Sequence, residues 1–241
     1  MKTRNSFKWL GISLCCVSSA LFTGCGGDSS DSPVAEQPQA RSCDQLVGLE
    51  IPAASIGLAT SGGEVTAAEV IAASGSGAAT IPEHCMVSGR IGPVDPTAPD
   101  ILFKVALPTD WNSKVLMFGG GGFNGSIPNI TGHVAQGAVD QPTPLGRGYA
   151  TFASDSGHQA NALGPHDGRW ALNYEAADNF AGDALQKSRD ASVFIVLQLY
   201  VSAPNYHYFA SFLICAPDAP SSLHRWLRSG GAPVTCSSAA A

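Results

Sequence analysis

Four consecutive glycines, residues 119–122, directly follow the apolar run 115–118. A short apolar run bounded by glycine is typical of a buried β-strand. A chain that leaves a strand through residues without Cβ atoms brings bare backbone N–H groups to the sheet edge, because no side chain shields them. The run therefore predicts a sheet whose edge presents main-chain amides, either to bind negative charge or to make a tightly packed turn.

The first 24 residues have the pattern of a secretion signal. Three basic residues precede an uncharged apolar run, residues 9–22, which is shorter than the roughly 20 residues that a membrane-spanning helix needs. Small residues before Cys25 resemble the bacterial lipobox, in which cleavage precedes the cysteine and its thiol is lipidated. We expect a signal peptide over 1–24 and a lipid anchor at Cys25, in a cell-envelope lipoprotein (outer membrane or periplasm) or a secreted protein. The alternative is an ordinary signal peptide with a chance cysteine.

Residues 25–41 are polar, bear glycine, serine and proline, and have nothing to bury, which predicts a flexible tether. Loss of residues 1–24 removes three positive side chains and no negative ones, which moves the formal charge from −6 to −9. An acidic chain without a basic cluster argues against nucleic acid as a partner. The remaining sequence is long enough for one domain of ordinary size.

Export permits disulfide bonds. Beyond Cys25 the chain carries four cysteines, which are Cys43, Cys85, Cys215 and Cys236. Four cysteines allow three pairings, and the residues alone do not choose among them.

Three apolar runs after residue 82 have the composition of β-strands, and turns bearing proline or asparagine separate them. They cover residues 86–91, 101–107 and 114–118. Their close succession predicts a meander that opens a larger sheet. The preceding residues, 43–82, look like a winding lead-in with strand-like fragments at 49–52 and 63–66.

A strand–helix–strand unit follows the meander. It consists of a strand over 148–154, a helix over about 174–201 and an aromatic strand over 206–210. The helical crossover predicts that the last strand lies beside its predecessor in parallel. The order of elements predicts an α/β fold, with a mostly parallel sheet and an antiparallel N-terminal meander.

Several short motifs occur in a fixed order and spacing, and together they resemble the tannase and feruloyl esterase family. These α/β-hydrolases are secreted serine esterases that cleave galloyl, feruloyl or related aromatic esters. The resemblance covers about residues 42–210 and implies the N-terminal part of an α/β-hydrolase domain with a small aromatic ester as substrate. The motifs are Cys43, Pro-Glu-His-Cys-Met-Val-Ser-Gly at 82–89, Leu-Pro-Thr-Asp-Trp-Asn at 107–112, the glycine run, Gly-Tyr-Ala-Thr at 148–151, Asp-Ser-Gly-His at 155–158, and Tyr208 with Phe209.

The resemblance implies roles for individual residues. Gly122 matches the position whose backbone N–H binds the oxyanion of the tetrahedral intermediate, and Gly121 precedes it where a side chain would narrow the pocket. Phe123, Asp155 and His158 are expected beside this pocket. Asp155 is expected to cap backbone N–H groups and His158 to be held in a hydrogen bond, rather than to form a catalytic pair.

The resemblance also implies a disulfide between Cys43 and Cys85, which would contribute about 4 kcal/mol in the chain-entropy model. The other histidines have no metal-ligand spacing. The calcium site of the family would lie in an inserted lid that this chain lacks. No metal and no other cofactor is therefore expected in the chain.

The nucleophile-bearing turn of the family is absent from the sequence. Family members continue from the aromatic strand into Gly-Cys-Ser-x-Gly-Gly, whereas here Ala-Ser-Phe-Leu-Ile-Cys follows Phe209, and no Gly-x-Ser-x-Gly occurs elsewhere. Ser211 lies nearest to the expected position but lacks flanking glycines. Residues 211–241 show neither helical nor strand period. We expect that a frameshift or truncation near residue 210 replaced the part that carries the nucleophile, the lid and the catalytic Asp and His.

The sequence thus predicts a serine-type carboxylic ester hydrolase whose chain, as written, is inactive and whose sheet stops at the strand before the nucleophile turn. The alternative is a non-catalytic envelope lipoprotein that uses the glycine-loop pocket to bind an aromatic or glycan ligand.

Overall fold

The fold is built on one seven-stranded β-sheet. The computed structural model of the chain describes residues 39–135, 137–164 and 167–211. The spatial order of the strands is β1-β2-β3-β4-β6-β5-β7. In chain order they are β1 (Glu50–Ile51), β2 (Gly62–Ile71), β3 (His84–Gly92), β4 (Ile101–Pro108), β5 (Lys114–Phe118), β6 (Ala150–Ser154) and β7 (Tyr206–Ala210).

Several predictions concern residues outside those ranges. They are the signal peptide over 1–24, nearly all of the tether over 25–41, the lipid anchor at Cys25, and the tail over 211–241 after its first residue. Cys215 and Cys236 lie in that tail.

Strands β1 to β4 form the predicted antiparallel meander. β3 and β4 pair over eight residues, from His84 opposite Pro108 to Ile91 opposite Ile101. β2 extends well beyond the fragment at 63–66 that the sequence indicated. The sequence missed its second half because that half carries exposed alanine and glutamate rather than an apolar alternation. Hydrogen-bonded pairing with β3 holds this second half in the sheet.

Strands β5, β6 and β7 are parallel, and β5 lies between the other two. The prediction that β7 pairs with β6 is wrong. β4 and β5 already occupy the two edges of β6, so the crossover passes over β5 and β7 pairs with its far edge, with Leu116 opposite Tyr208. The α/β class and the antiparallel meander are confirmed. Parallel pairs make up two of the six pairs among the described strands, because the first four strands and the β4–β6 pair are antiparallel.

The predicted helix is divided into two. α1 (Tyr174–Asp178) is followed by a π-helical turn, Asn179–Asp183, and then by α2 (Ala184–Tyr200). Gly182 lies at φ 144° inside the turn, a conformation that a residue without a Cβ tolerates. Asn173 caps α1, since its side chain accepts a hydrogen bond from the N–H of Ala176 at 3.0 Å. None of the described helices is long and apolar enough to cross a membrane.

Around β5, both faces of the sheet are apolar and each is covered. Along β5, Val115 and Met117 pack into the core beneath α2, while Leu116 and Phe118 pack on the opposite face. This alternation follows the two-residue period of a strand. The opposite face is covered by the loop after the glycine run, which includes buried Ile130.

The predicted disulfide between Cys43 and Cys85 is present, with the Cα atoms 5.7 Å apart. It ties the 3-10 turn Asp44–Leu46 to the start of β3. Both cysteines are buried within the core beneath α2.

Removal of this disulfide should lower the free energy of unfolding by about 4 kcal/mol, because the bond closes a loop with a sequence separation of 42 residues. Urea denaturation of the chain and of a Cys43→Ser, Cys85→Ser double variant measures the difference. Addition of reductant to the double variant is the control and should change nothing further. Equal stability of the two proteins would contradict the expectation.

Candidate active site

The carboxyl ends of β5, β6 and β7 meet at one edge of the sheet, because these strands run parallel. The glycine run follows β5, Asp155 follows β6 and Ser211 follows β7. The N–H of Gly119 donates to the carbonyl of Ala210 at 2.8 Å, which extends the β5–β7 ladder by one hydrogen bond. The fold therefore brings the predicted residues of the two loops to the same edge, where open α/β sheets bind their ligands.

The first two glycines of the run are required by close packing. A Cβ on Gly119 would lie 2.7 Å from both the ring of Phe209 and the Cβ of Ser211. A Cβ on Gly120 would collide with the side-chain amide of Asn124. For these two positions the tightly packed turn is the correct interpretation of the run.

Nothing among the described residues packs against the last two glycines. A Cβ on Gly121 or Gly122 would meet no atom of those residues within 4 Å. Gly122 has a φ of +59°, and the N–H of Asn124 donates to the carbonyl of Gly121 at 3.0 Å, so residues 121–124 form a β-turn. The N–H groups of Gly121 and Gly122 make no hydrogen bond to any described residue. The turn therefore displays two adjacent main-chain donors beside the exposed ring of Phe123.

Asp155 is turned away from this surface. Its Oδ1 accepts hydrogen bonds from the N–H groups of Leu102 at 3.1 Å and Gly157 at 2.9 Å, and its Oδ2 accepts one from Gln159 at 2.6 Å. Burial raises the pKa of Asp155 to about 6, although these three donors act in the opposite direction. The carboxyl group joins the end of β6 to β4 and to its own loop.

The ring of His158 is buried in an aromatic cluster. It stacks on Trp170 with 4.0 Å between the centroids and meets Phe180 edge-on at 5.5 Å. Neither ring nitrogen has a partner of ordinary hydrogen-bond geometry among the described residues. The backbone of Phe123 nevertheless acts on the ring as a hydrogen-bonding group, so the hydrogen bond expected from the sequence stays a prediction. Burial lowers the pKa of His158, and the backbone of Phe123 opposes part of that shift. His158 is therefore a neutral packing residue beneath the loop.

No hydrogen bond or ion pair joins Asp155 to His158 within the described ranges. The hydroxyl of Ser211 donates to the carbonyl of Gly120 at 3.2 Å. Neither a histidine nor a carboxylate contacts that hydroxyl in the described part of the chain. The same residues contain no group of three His, Cys, Asp or Glu side chains that could hold a metal ion.

Two residues at this edge were missed by the sequence interpretation. Asn124 and Ser156 both have positive φ, at 49° and 68°, and the side-chain amide of Asn124 donates to the hydroxyl of Ser156 at 2.6 Å. The signal in the sequence is weak. Asn is enriched at positive φ, but Phe-Asn-Gly by itself does not say what the asparagine contacts.

The raised pKa of Asp155 predicts a pH-dependent stability. The folded chain holds this proton more tightly than the unfolded chain, whose pKa is about 4, so the stabilisation is complete below about pH 4 and is lost as the pH rises through about 6. The loss should reach roughly 3 kcal/mol. Asp155→Asn is the reference, because its amide oxygen still accepts from Leu102 and Gly157. Urea denaturation of both proteins between about pH 4 and 7 measures the difference, and a constant difference would contradict the expectation.

Comparison with known proteins identifies the family. The model of the family described as "Tannase and feruloyl esterase" matches residues 85–212. An uncharacterised esterase of Agrobacterium fabrum is 40% identical over 193 residues, which are 80% of this chain and 34% of that protein. A mono(2-hydroxyethyl) terephthalate hydrolase of Piscinibacter sakaiensis is 39% identical over 98 residues, which are 39% of this chain and 16% of that protein. The chain thus spans about a third or less of the length of these relatives.

Solved structures are also similar. Feruloyl esterase B from Aspergillus oryzae aligns with a TM-score of 0.49 and 17% identity, over 70% of this chain and 31% of that chain. Another esterase from Aspergillus oryzae aligns with a TM-score of 0.48 and 14% identity, over 70% and 32%. By its match to the family model over more than half its length, the chain belongs to the tannase and feruloyl esterase family.

Proposed function

We propose that this domain supplies the oxyanion-binding part of a serine-type carboxylic ester hydrolase that acts on aromatic esters. The observation that carries the proposal is the pair of N–H groups on Gly121 and Gly122, which lie at the carboxyl edge of the parallel strands, where no described residue packs against the two glycines. Family membership supports ester hydrolysis as the reaction. The alternative of a non-catalytic lipoprotein finds no support among the relatives, whose names describe esterases and hydrolases.

The amide pair suits acyl transfer. When a serine hydroxyl attacks an ester carbonyl carbon, a general base takes its proton and the π electrons of the carbonyl move to the carbonyl oxygen, which becomes negatively charged. Main-chain N–H groups that are already in place stabilise this charge without reorganisation. Collapse of the intermediate expels the alcohol, to which the protonated base, now the general acid, gives a proton, and leaves an acyl-enzyme. A water molecule then attacks the acyl-enzyme through a second oxyanion and releases the acid. Gly122 is the donor that we assign to both oxyanions.

An aromatic acyl group is the proposed substrate class. The ring of Phe123 is 53% exposed beside the two donors and offers an apolar surface on which an aromatic ring can pack. The Piscinibacter sakaiensis relative is named for a monoester of terephthalate, which is an aromatic acid. Galloyl esters and terephthalate monoesters carry such a ring directly on the ester carbonyl, and feruloyl esters carry it one carbon–carbon double bond away.

The nucleophile is proposed to lie outside the amino-acid sequence as written. Ser211 directly follows β7 at this edge, but its hydroxyl donates to the carbonyl of Gly120 and the sequence around it has no Gly-x-Ser-x-Gly. We propose a frameshift near residue 210, because the sequence from Ser211 onward lacks the nucleophile-bearing motif. We expect a neighbouring reading frame of the DNA beyond codon 210 to encode Gly-x-Ser-x-Gly. The frameshift would be rejected if no neighbouring frame encodes that motif.

Once the frame is restored, the enzyme should hydrolyse methyl ferulate, and the chain as written should not. Gly122→Pro removes the donor, and because proline fixes φ at about −65° it also changes the turn at a position whose φ is +59°. It should lower kcat by at least about 10²- to 10³-fold. Gly122→Ala is the control for an added side chain, because it keeps the N–H and its Cβ meets no atom of a described residue within 4 Å, at a cost of about 1 to 2 kcal/mol for its positive φ. Equal kcat for the two variants would reject the oxyanion role. Turnover by the chain as written would instead reject the absence of a nucleophile.

Export and a lipid anchor complete the proposal. The basic start, the short apolar run over 9–22 and the small residues before Cys25 support a lipoprotein signal. Mass spectrometry of the protein purified from a bacterial envelope should find an N-terminal diacylglyceryl group on Cys25. Cys25→Ser should leave the protein unmodified. Detection of an unlipidated cysteine, or of the uncleaved N-terminus, in the wild-type protein would contradict this part.

A further inference from the structure

We propose that Asn124 and Ser156 form a latch that fixes Gly121 and Gly122 in the conformation from which their N–H groups can meet an oxyanion. Both would be positioning residues, since they act through the glycine backbone and do not touch the reacting atoms. The inference rests on the oxyanion role proposed above and adds two side chains to it.

The first argument is where the positive φ angles lie. Among the described non-glycine residues, four have positive φ, namely Ser113, Asn124, Ser156 and Val201. Val201 ends α2, and Ser113 precedes β5 at the edge opposite the glycine run. Asn124 and Ser156 belong to two different loops, yet one hydrogen bond of 2.6 Å joins them. Unfavourable backbone conformations persist where surrounding contacts hold them, and they cluster at functional sites.

The second argument is what the side chain of Asn124 touches. Its amide lies so close to Gly120 that no Cβ fits there. The amide nitrogen also lies 3.4 Å from the carbonyl of Ser154, the last residue of β6, in addition to its bond with Ser156. The side chain therefore bridges the glycine run after β5 and the end of β6.

The third argument is how the turn is anchored. On one side, the hydrogen bond of Gly119 to β7 fixes the start of the run. On the other side, the backbone N–H of Gly125 donates to the carbonyl of Asp155 at 3.3 Å, and the carbonyl of Gly125 accepts from Ala160 at 2.8 Å. Between these anchors, Gly121 and Gly122 have no side chain to hold them. Glycine has the largest conformational freedom of any residue, so the order of the two donors depends on the anchors and on the latch.

Order in the glycine amides is the direct test. The full chain, labelled with ¹⁵N-glycine, gives an order parameter for each glycine, and Gly121→Ala and Gly122→Ala spectra assign the two resonances. In the wild type we expect values of about 0.85, as in rigid backbone, and in Ser156→Ala and Asn124→Ala values below about 0.6. Ser156→Ala removes a single oxygen atom, which makes it the variant that disturbs the fold least.

Asn124→Gly separates the latch from a simple turn preference. It relieves the positive φ and removes the hydrogen bond at the same time. A residue kept only for its backbone conformation would be replaced by glycine without effect on Gly121 and Gly122, whereas the latch predicts the same loss of order as in Asn124→Ala. Ser113→Ala is the matched control, because Ser113 also has a positive φ but lies at the other edge of the sheet, and it should leave both resonances unchanged.

Unchanged order in Ser156→Ala and Asn124→Ala would overturn the inference. So would wild-type order parameters below about 0.6 for the two glycines, a result that needs no variant to fold. Failure of the proposed function shows instead in the kinetics of the Gly122 variants of the frame-restored enzyme. The two failures are therefore distinguishable.

Discussion

The parallel pairing of β5 with both β6 and β7 is the constraint on which the site depends. It brings three strand ends to one edge and places the loop after each strand beside the other two. The hydrogen bond from Gly119 to Ala210 continues this pairing into the glycine run. The turn that follows therefore starts from a residue that is held in the sheet. The register of β5 thus determines the direction in which the exposed N–H groups point.

Asp155 and His158, the polar residues beneath the glycine run, are both buried. The exposed surface of the run is therefore main chain rather than charged side chain. The carboxyl group of Asp155 accepts three hydrogen bonds in the interior, and its raised pKa shows that burial outweighs them. The ring of His158 is neutral and stacked on Trp170. The carboxyl oxygens of Asp155 thus accept from Leu102 and from two residues of its own loop rather than from the glycine turn.

Local pattern predicted the strands well where buried apolar side chains recur along the strand, as in β4 and β5. It underestimated β2, whose exposed alanines and glutamates give no alternation. The partner of β7 could not be predicted, because that choice depends on which sheet edges earlier strands have occupied. The kink at Gly182 and the stacking of His158 likewise depend on tertiary neighbours that no short window of sequence contains.

The glycine run shows why one motif supported two interpretations. Gly119 and Gly120 are glycine because Phe209, Ser211 and Asn124 occupy the space where their side chains would be. The next two glycines have no such neighbours among the described residues, and only Gly122 has a positive φ, which by itself favours glycine. Packing and backbone conformation therefore explain three glycines of the run and leave Gly121 without a steric reason. The oxyanion role that we propose would supply one, because a side chain at Gly121 would stand beside the exposed N–H groups.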